Sequence, residues 1–600
     1  MAMTRTARAA GAAVLGALVA LTLAGVAAAQ SPSPSPEKLT FIVGQTNDVR
    51  TFNPLKAIES PEYETMGVIY DTLLGWDKDT MEPVPGLATE WSVSEDGLTW
   101  TFKIRDDVTW SDGQPLTARD IAFTFNFILE NNFSALTSYL TFTDEITAPD
   151  DTTLVWKTTK PTTAPIAPPF IFIMPEHVWG GMSKEEAKQF PNFPDTVGSG
   201  PFRLVEWKKG DFWRLEANED YWGGAPVIDE LVFRVFKNDE AMVQALRAGE
   251  IDIAYGIPPT LFASLQGAEG ITTHVGAALG FTQMSFGQCF WDGKPCKGAT
   301  HHPALADPDV RRAVAMAIDK QALVDRVLGG FGTPGTTVIP PAYPWHYEPS
   351  PDELIPFDIA GANALLDEAG YLDTDGDGVR EMPGGGRPLE FRFIVRTEDP
   401  DSVKAGQLIS GWLKQIGIAT NPEAVTDGKL IDLWLANDFD LYIWGWGVEP
   451  DPDFQLSTYT TDQCLVWSDT CYSNPEYDEL YIRQKTTASR EERKQIVDEM
   501  QRILYQDIPE IVLYYDNDLM AYRSDRWTGL VEQPAGQGNL VYQYGTYTYR
   551  NVRPVSAGGG APPREGGIPA SAWIGIVVGL VVVIGAVVLA RRRVSEEDRA

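Results

Sequence analysis

Residues 91–129 read WSVSEDGLTWTFKIRDDVTWSDGQPLTARDIAFTFNFIL. From Leu98 to Ile104 apolar and polar residues alternate: Leu98, Trp100, Phe102 and Ile104 fall on one face, Thr99, Thr101 and Lys103 on the other. A period of two predicts a half-buried strand. Asp96-Gly97 and Ser111-Asp112-Gly113 supply the turns around it. Thr117 followed by Asp120 has the spacing of a capping box, and opens a helix with Ile121, Phe125 and Ile128/Leu129 on its inner side. Hairpin, turn, helix is the expected order.

Working outward, strands and helices alternate through the body with no fixed repeat. Val227–Phe236 reads as a strand, Asn238 caps a helix closed by Gly249, and Ile251–Ala254 begins a second strand. Strand, helix, strand predicts a parallel α/β arrangement. Asp307-Pro308 and Ser489…Glu492 open two further helices.

Six hundred residues exceed what one core serves, so two or three lobes are expected. Apolar residues at 44% and charged residues at 22% exclude a disordered chain. The net charge of −35 argues against nucleic acid or anionic lipid as a partner of the body.

The ends carry targeting signals. Arg5 and Arg8, an apolar run from Ala12 to Val26 and Ala27-Ala28-Ala29 read as a signal peptide over 1–29. A Ser/Pro spacer, 30–36, follows, and 554–570 is a Gly/Pro linker. Ala572 to Ala590 holds no charge and spans roughly 28 Å as a helix, enough to cross a membrane. Arg591-Arg592-Arg593 then places 591–600 in the cytoplasm. The expected location is therefore the cell membrane, single-pass through 571–590, with the body outside. Cys289, Cys296, Cys464 and Cys471 form two pairs seven apart. Three connectivities are possible; local 289–296 and 464–471 bridges are the simplest, since turn formers lie between each pair.

The string W-S-V-S-E-D-G-L-T-W-T-F-K-I-R with W-S-D-G-Q-P-L-T-A-R-D resembles the signature of the extracellular solute-binding proteins, family 5, peptide receptors of ABC importers. L-A-T-E-W at 87–91, G-S-G-P-F at 198–202, L-R-A-G-E-I-D at 246–252, D-V-R-R-A-V-A-M-A-I-D at 309–319 and N-P-E-Y-D at 474–478 follow in the family's order. The resemblance implies an α/β, type II periplasmic-binding-protein fold, cluster C-like: two hinged lobes plus a small extra domain. Lobe I would comprise 37–77, 197–282 and 508–553, the small domain 78–196, and lobe II 283–507. It implies a receptor that captures a peptide by lobe closure and hands it to an ABC permease and its ATPase, with no cofactor.

The ligand site is expected in FDLYIWGWGVEPDPDF, 439–454. Tyr442, Trp444 and Trp446 share a strand face, Gly445 and Gly447 allow close approach, and Glu449, Asp451 and Asp453 follow. Rings can sandwich apolar or amide surface, and a carboxylate can pair with an α-ammonium group. By resemblance the pairing acid is Glu449, with Asp451 as its rival because this loop is one residue shorter than the family's. Resemblance also places Ile58-Glu59-Ser60 where lobe I pairs with an extended peptide, and Tyr515 on a strand whose tyrosine reaches the cleft. Two other readings stand beside peptide capture. Eighteen tryptophans suit an oligosaccharide, and the acids of 449–453 could serve a glycoside hydrolase. Motifs for serine, zinc-peptidase or P-loop chemistry are absent, and the expectation is no enzyme. Asp373, Asp375 and Asp377 have calcium-loop spacing, but position twelve is Gly384, so a solvated loop is expected.

Overall fold

The structure is a computed structural model. It describes residues 38–555 except 167–169, 289, 292–293, 296–299, 488, 537 and 542–544. The expected signal peptide, Ser/Pro spacer, membrane helix and cytoplasmic tail lie outside the described residues, as do Cys289, Cys296 and most of the Gly/Pro linker. Among the described residues no helix is long and apolar enough to cross a membrane.

Two large mixed sheets organise the body. In the seven-stranded sheet Thr40–Gln45 is central, with Glu230–Val235 and Ile253–Ala254 parallel to it on either side. The helix linking those two strands, Asp239–Ala248, is capped by Asn238 and closed by Gly249 at φ 72°. The six-stranded sheet runs Gly332–Pro334, Glu510–Asp516, Gly280–Phe286, Leu441–Gly447, Glu390–Arg396, Ala419–Val425. Its core holds Val310, Val314 and Ala317 of helix Pro308–Ala317, all fully buried, opened by Asp307 with Pro308 in the first turn. Ser489 caps helix Arg490–Asp507 by accepting from the Glu492 amide.

The stretch quoted at the outset builds the small domain. Thr99–Ile104 sits inside a four-stranded sheet between Ala88–Val93 and Thr153–Thr158, with Trp100, Phe102 and Ile104 buried and Thr101 and Lys103 exposed. Thr117 and Asp120 form the capping box of helix Ala118–Asn131, and Ile121, Phe125 and Ile128 are buried. Each such burial contributes roughly 1.5–3 kcal/mol.

Two boundaries differ from expectation. Strand Glu510–Asp516, assigned by resemblance to lobe I, pairs with Gly280–Phe286 in the second sheet. Gly280–Phe286 itself lies wholly in that sheet, although 282 was the expected end of a lobe I segment. The chain therefore passes between the two large sheets at 276–280 and at 516–518, since Ile271–Gly276 and Asp518–Arg523 pair in the first. A fully buried strand, apolar on both faces, carries no periodic signal of which sheet it joins.

Candidate ligand site

The strand Leu441–Gly447 alternates as expected. Leu441 and Ile443 enter the large core of the second sheet, and Tyr442 and Trp444 pack on the opposite face with Ile394, Leu430 and Phe439. The neighbouring strand Gly280–Phe286 approaches it closely: a Cβ on Gly280 would stand 2.3 Å from the Trp446 carbonyl oxygen, and one on Gly445 would stand 3.3 Å from the Phe281 carbonyl oxygen. The strand then turns into the acidic loop, fixed where the Tyr343 hydroxyl donates to the Val448 carbonyl at 2.6 Å.

The three acids of the loop have different fates. Asp451 receives both terminal nitrogens of Arg493, each at 2.7 Å. Asp453 receives Lys485 Nζ at 2.8 Å and Gln484 Nε2 at 2.7 Å. Glu449 is 4% exposed, and among the described residues it has no cation. The hydroxyl of Tyr139, from the small domain, donates to it. Burial drives the Glu449 carboxyl well above the usual range, Tyr139 opposes that, and Asp451 and Asp453 add to it. The charge of Asp451 is already matched by Arg493. Two of the three acids of this loop are thus held in ion pairs.

Two tyrosines from outside the second lobe stand near Glu449, and further rings pack against them and against Trp446. Tyr63, on helix Ser60–Ile69 of the first lobe, lies close enough that the Glu449 charge raises its hydroxyl further, after burial. It stacks on Phe170 with centroids 3.8 Å apart. Tyr139 stacks on Phe454 at 5.5 Å. Trp446 meets Phe454 and Trp467, each at 6.3 Å. Its indole N–H donates at 2.6 Å to Asp469, which also receives Gln283 Nε2 at 3.0 Å. Asp469 is held in a short loop closed by the Cys464–Cys471 disulfide, the expected local pairing.

Other expected contacts fall elsewhere. One face of Trp444 is covered by the Arg396 guanidinium, 4.3 Å from the ring centre and gripped by Asp427 at 2.9 and 2.7 Å. Tyr515 does not offer its hydroxyl to the cleft: it accepts from the amides of Thr336 and Thr337 and donates to the Thr337 carbonyl at 2.6 Å. Glu59 and Ser60 form no edge strand. Glu59 caps helix Ser60–Ile69, and the amides of Ile58 and Glu59 go to Glu62 at 2.9 and 3.2 Å, so they cannot pair with a peptide backbone. Burial pushes Glu59 up, Arg50 pulls it down, and Glu62 and Asp427 add to the rise; Asp427 reaches it from the second lobe. Gly447 lies exposed at the strand end opposite Gly280.

Asp373, Asp375, Asp377 and Glu381 bring ligand-type oxygens within 4.8 Å of one another. The loop's own amides and Thr374 already bond these carboxylates, Gly376 N to Asp373 at 2.7 Å and Thr374 N to Glu381 at 2.8 Å.

Phe454 closes the stretch quoted for the ligand site, whereas Tyr63, Tyr139, Phe170 and Asp469 had no local pattern marking them. Tyr139 is 310 positions from its partner.

Two α/β lobes, a small added domain and a buried carboxylate with no cation among the described residues are the features of a solute-binding protein of the two-lobed type. The chain belongs to the bacterial extracellular solute-binding proteins, family 5, whose middle region matches residues 82–464. It is 30% identical over 524 residues to Protein XP55 of Streptomyces lividans, covering 84% of this chain and 88% of that one. It is 26% identical over 507 residues to the oligopeptide-binding protein AppA of Bacillus subtilis, covering 80% and 87%. The fold is similar to that of NikZ from Campylobacter jejuni in complex with Ni(L-His), with TM-score 0.74, 22% identity and coverage of 86% and 99%.

Proposed function

We propose that this chain is the receptor of an ABC importer, and that its lobes close on a peptide whose α-ammonium group is held by Glu449. The observation that carries this reading is the imbalance at the acidic loop: Asp451 and Asp453 have their cations, whereas Glu449 is buried against tyrosine rings with a hydroxyl alone. A buried carboxylate without a cation is costly, and a ligand ammonium removes that cost in the closed state. Trp446, Phe454 and Tyr63 would flank the first residue of the peptide. The oligopeptide-binding relative in Bacillus subtilis supports the substrate class. The ligand would stabilise the closed state by touching both lobes, after which the permease and its ATPase accept the solute. The apolar run from Ala572 to Ala590 would hold the body at the outer face of the membrane.

Calorimetry with a free-amine oligopeptide, its N-acetylated form and a cello-oligosaccharide tests the reading. Binding of the free-amine peptide with at least tenfold loss on acetylation is expected. Equal binding of the acetylated peptide, or binding of the saccharide alone, would overturn it.

A further inference from the structure

A cavity of about 430 Å³ lies within the second lobe behind strand Glu510–Asp516. None of Tyr63, Tyr139, Trp446 or Glu449 lines it. Its size is within the range of small-molecule sites. The wall is mainly apolar: Ile318, Val338, Ile355, Leu504, Ile511 and Val512 contribute. Leu354 and Phe357, 41% and 49% exposed, bring the apolar lining out to the surface.

Lys320 stands in this wall. Its Nζ donates at 2.7 Å to the Gly335 carbonyl, which lines the same space. An ammonium has three N–H groups, and no carboxylate pairs with this one among the described residues. Asp319, its neighbour, instead caps the helix that Lys320 opens, Lys320–Arg326, accepting from the Ala322 amide at 2.9 Å. Burial lowers Lys320 to about 8, so it is still largely cationic at neutral pH. Tyr505 adds a second donor: its oxygen accepts from the Ile355 amide at 3.0 Å, leaving the hydroxyl hydrogen for a ligand. Glu510, also in the wall, is pushed up by burial and by Asp469, and accepts from Tyr459 at 2.6 Å.

A partly buried cation with no carboxylate partner among the described residues, set in an apolar wall that reaches solvent, fits an anion carrying its own apolar body. One ammonium and one hydroxyl match a single carboxylate, whereas a phosphate dianion would need more positive charge. We infer that this cavity is a binding site for a monocarboxylate with an apolar tail, its carboxylate on Lys320 and Tyr505 and its tail between Leu354, Ile355 and Leu504. The site is distinct from the inter-lobe cleft and does not depend on which solute the cleft takes.

The test uses the purified full chain with sodium octanoate, octylamine and 1-octanol, followed by calorimetry. Octanoate is expected to bind, with octylamine and octanol at least tenfold weaker. Lys320→Met should reduce octanoate binding at least tenfold, and Lys320→Arg should retain most of it. An unchanged far-UV circular dichroism spectrum and melting transition would show that each variant is folded. Equal binding of the three probes, undiminished binding by folded Lys320→Met, or no octanoate binding at millimolar concentration would overturn the assignment.

Discussion

The hydroxyl of Tyr139 donates to Glu449, joining the small domain to the acidic loop of the second lobe. Two further contacts lie on the same seam: Arg490 pairs with Glu82, and the Thr163 amide donates to the Lys485 carbonyl at 3.3 Å. The small domain is therefore a wall of the site as well as an appendage of the first lobe. Hydrogen bonds to a charged group are worth about 1.5–3 kcal/mol. Tyr139→Phe should accordingly weaken free-amine peptide binding by roughly tenfold or more if the hydroxyl also orients Glu449 in the complex. Titration calorimetry checks this; an unchanged affinity would leave the contact with a role in the ligand-free protein only.

Glu449→Gln separates recognition from stability. Burial raises the folded-state pKa of Glu449, so the protein loses stability as pH rises from the ordinary carboxylate range toward that raised value. The amide has no charge to desolvate. The ligand-free variant should melt higher than the parent at pH 8 and equally at pH 4.5, while free-amine peptide affinity falls at least tenfold. Melting curves at both pH values, with calorimetry, decide the matter.

Glu64 provides an independent pH effect. It is 5% exposed, receives the hydroxyls of Tyr255 at 2.8 Å and of Tyr549, and is raised by burial to about 7. Its stabilising contribution is full below pH about 4.5 and is lost as pH rises through about 7. Glu64→Gln should flatten the fall in unfolding free energy across that window, by about 3 kcal/mol at its upper end, as denaturant titrations at several pH values would show.

Arg493 and Asp451 are 6% and 15% exposed at their side chains. Removing one partner of such a pair leaves a buried charge and costs about 3–5 kcal/mol. Arg493→Met should lower denaturant stability by that amount. Asp451→Asn should disturb peptide affinity far less than Glu449→Gln does, in contrast with a loop where either acid could serve.

The Cys464–Cys471 bridge closes a loop with a sequence separation of seven. A loop that short contributes about 2–2.5 kcal/mol in the chain-entropy picture. The double Cys464→Ser/Cys471→Ser variant should lose that stability and, through Asp469, free the Trp446 indole. Tryptophan fluorescence with peptide titration would register both, and an unaltered spectrum would show that Asp469 is held without the bridge.

Much was legible in the sequence wherever the determinants were local. The alternation at 98–104, the Thr117/Asp120 box, the Asn238 cap with Gly249 and the Asp307-Pro308 start each depend on residues within one or two turns, and each formed as read. The face shared by Tyr442, Trp444 and Trp446 was legible for the same reason, since a strand fixes alternation by its pleat. Tertiary structure decided the charge state of the acidic loop. Glu449, Asp451 and Asp453 are equivalent as letters, yet Arg493 and Lys485 from a distant helix pair neutralise two and leave the third. It also decided that Tyr515 is saturated by Thr336 and Thr337, and that Glu510–Asp516 joins the second sheet. Those outcomes rest on contacts between residues far apart in the chain, where the low dielectric of a packed interior makes partner geometry govern charge. Local periodicity carries no record of such partners.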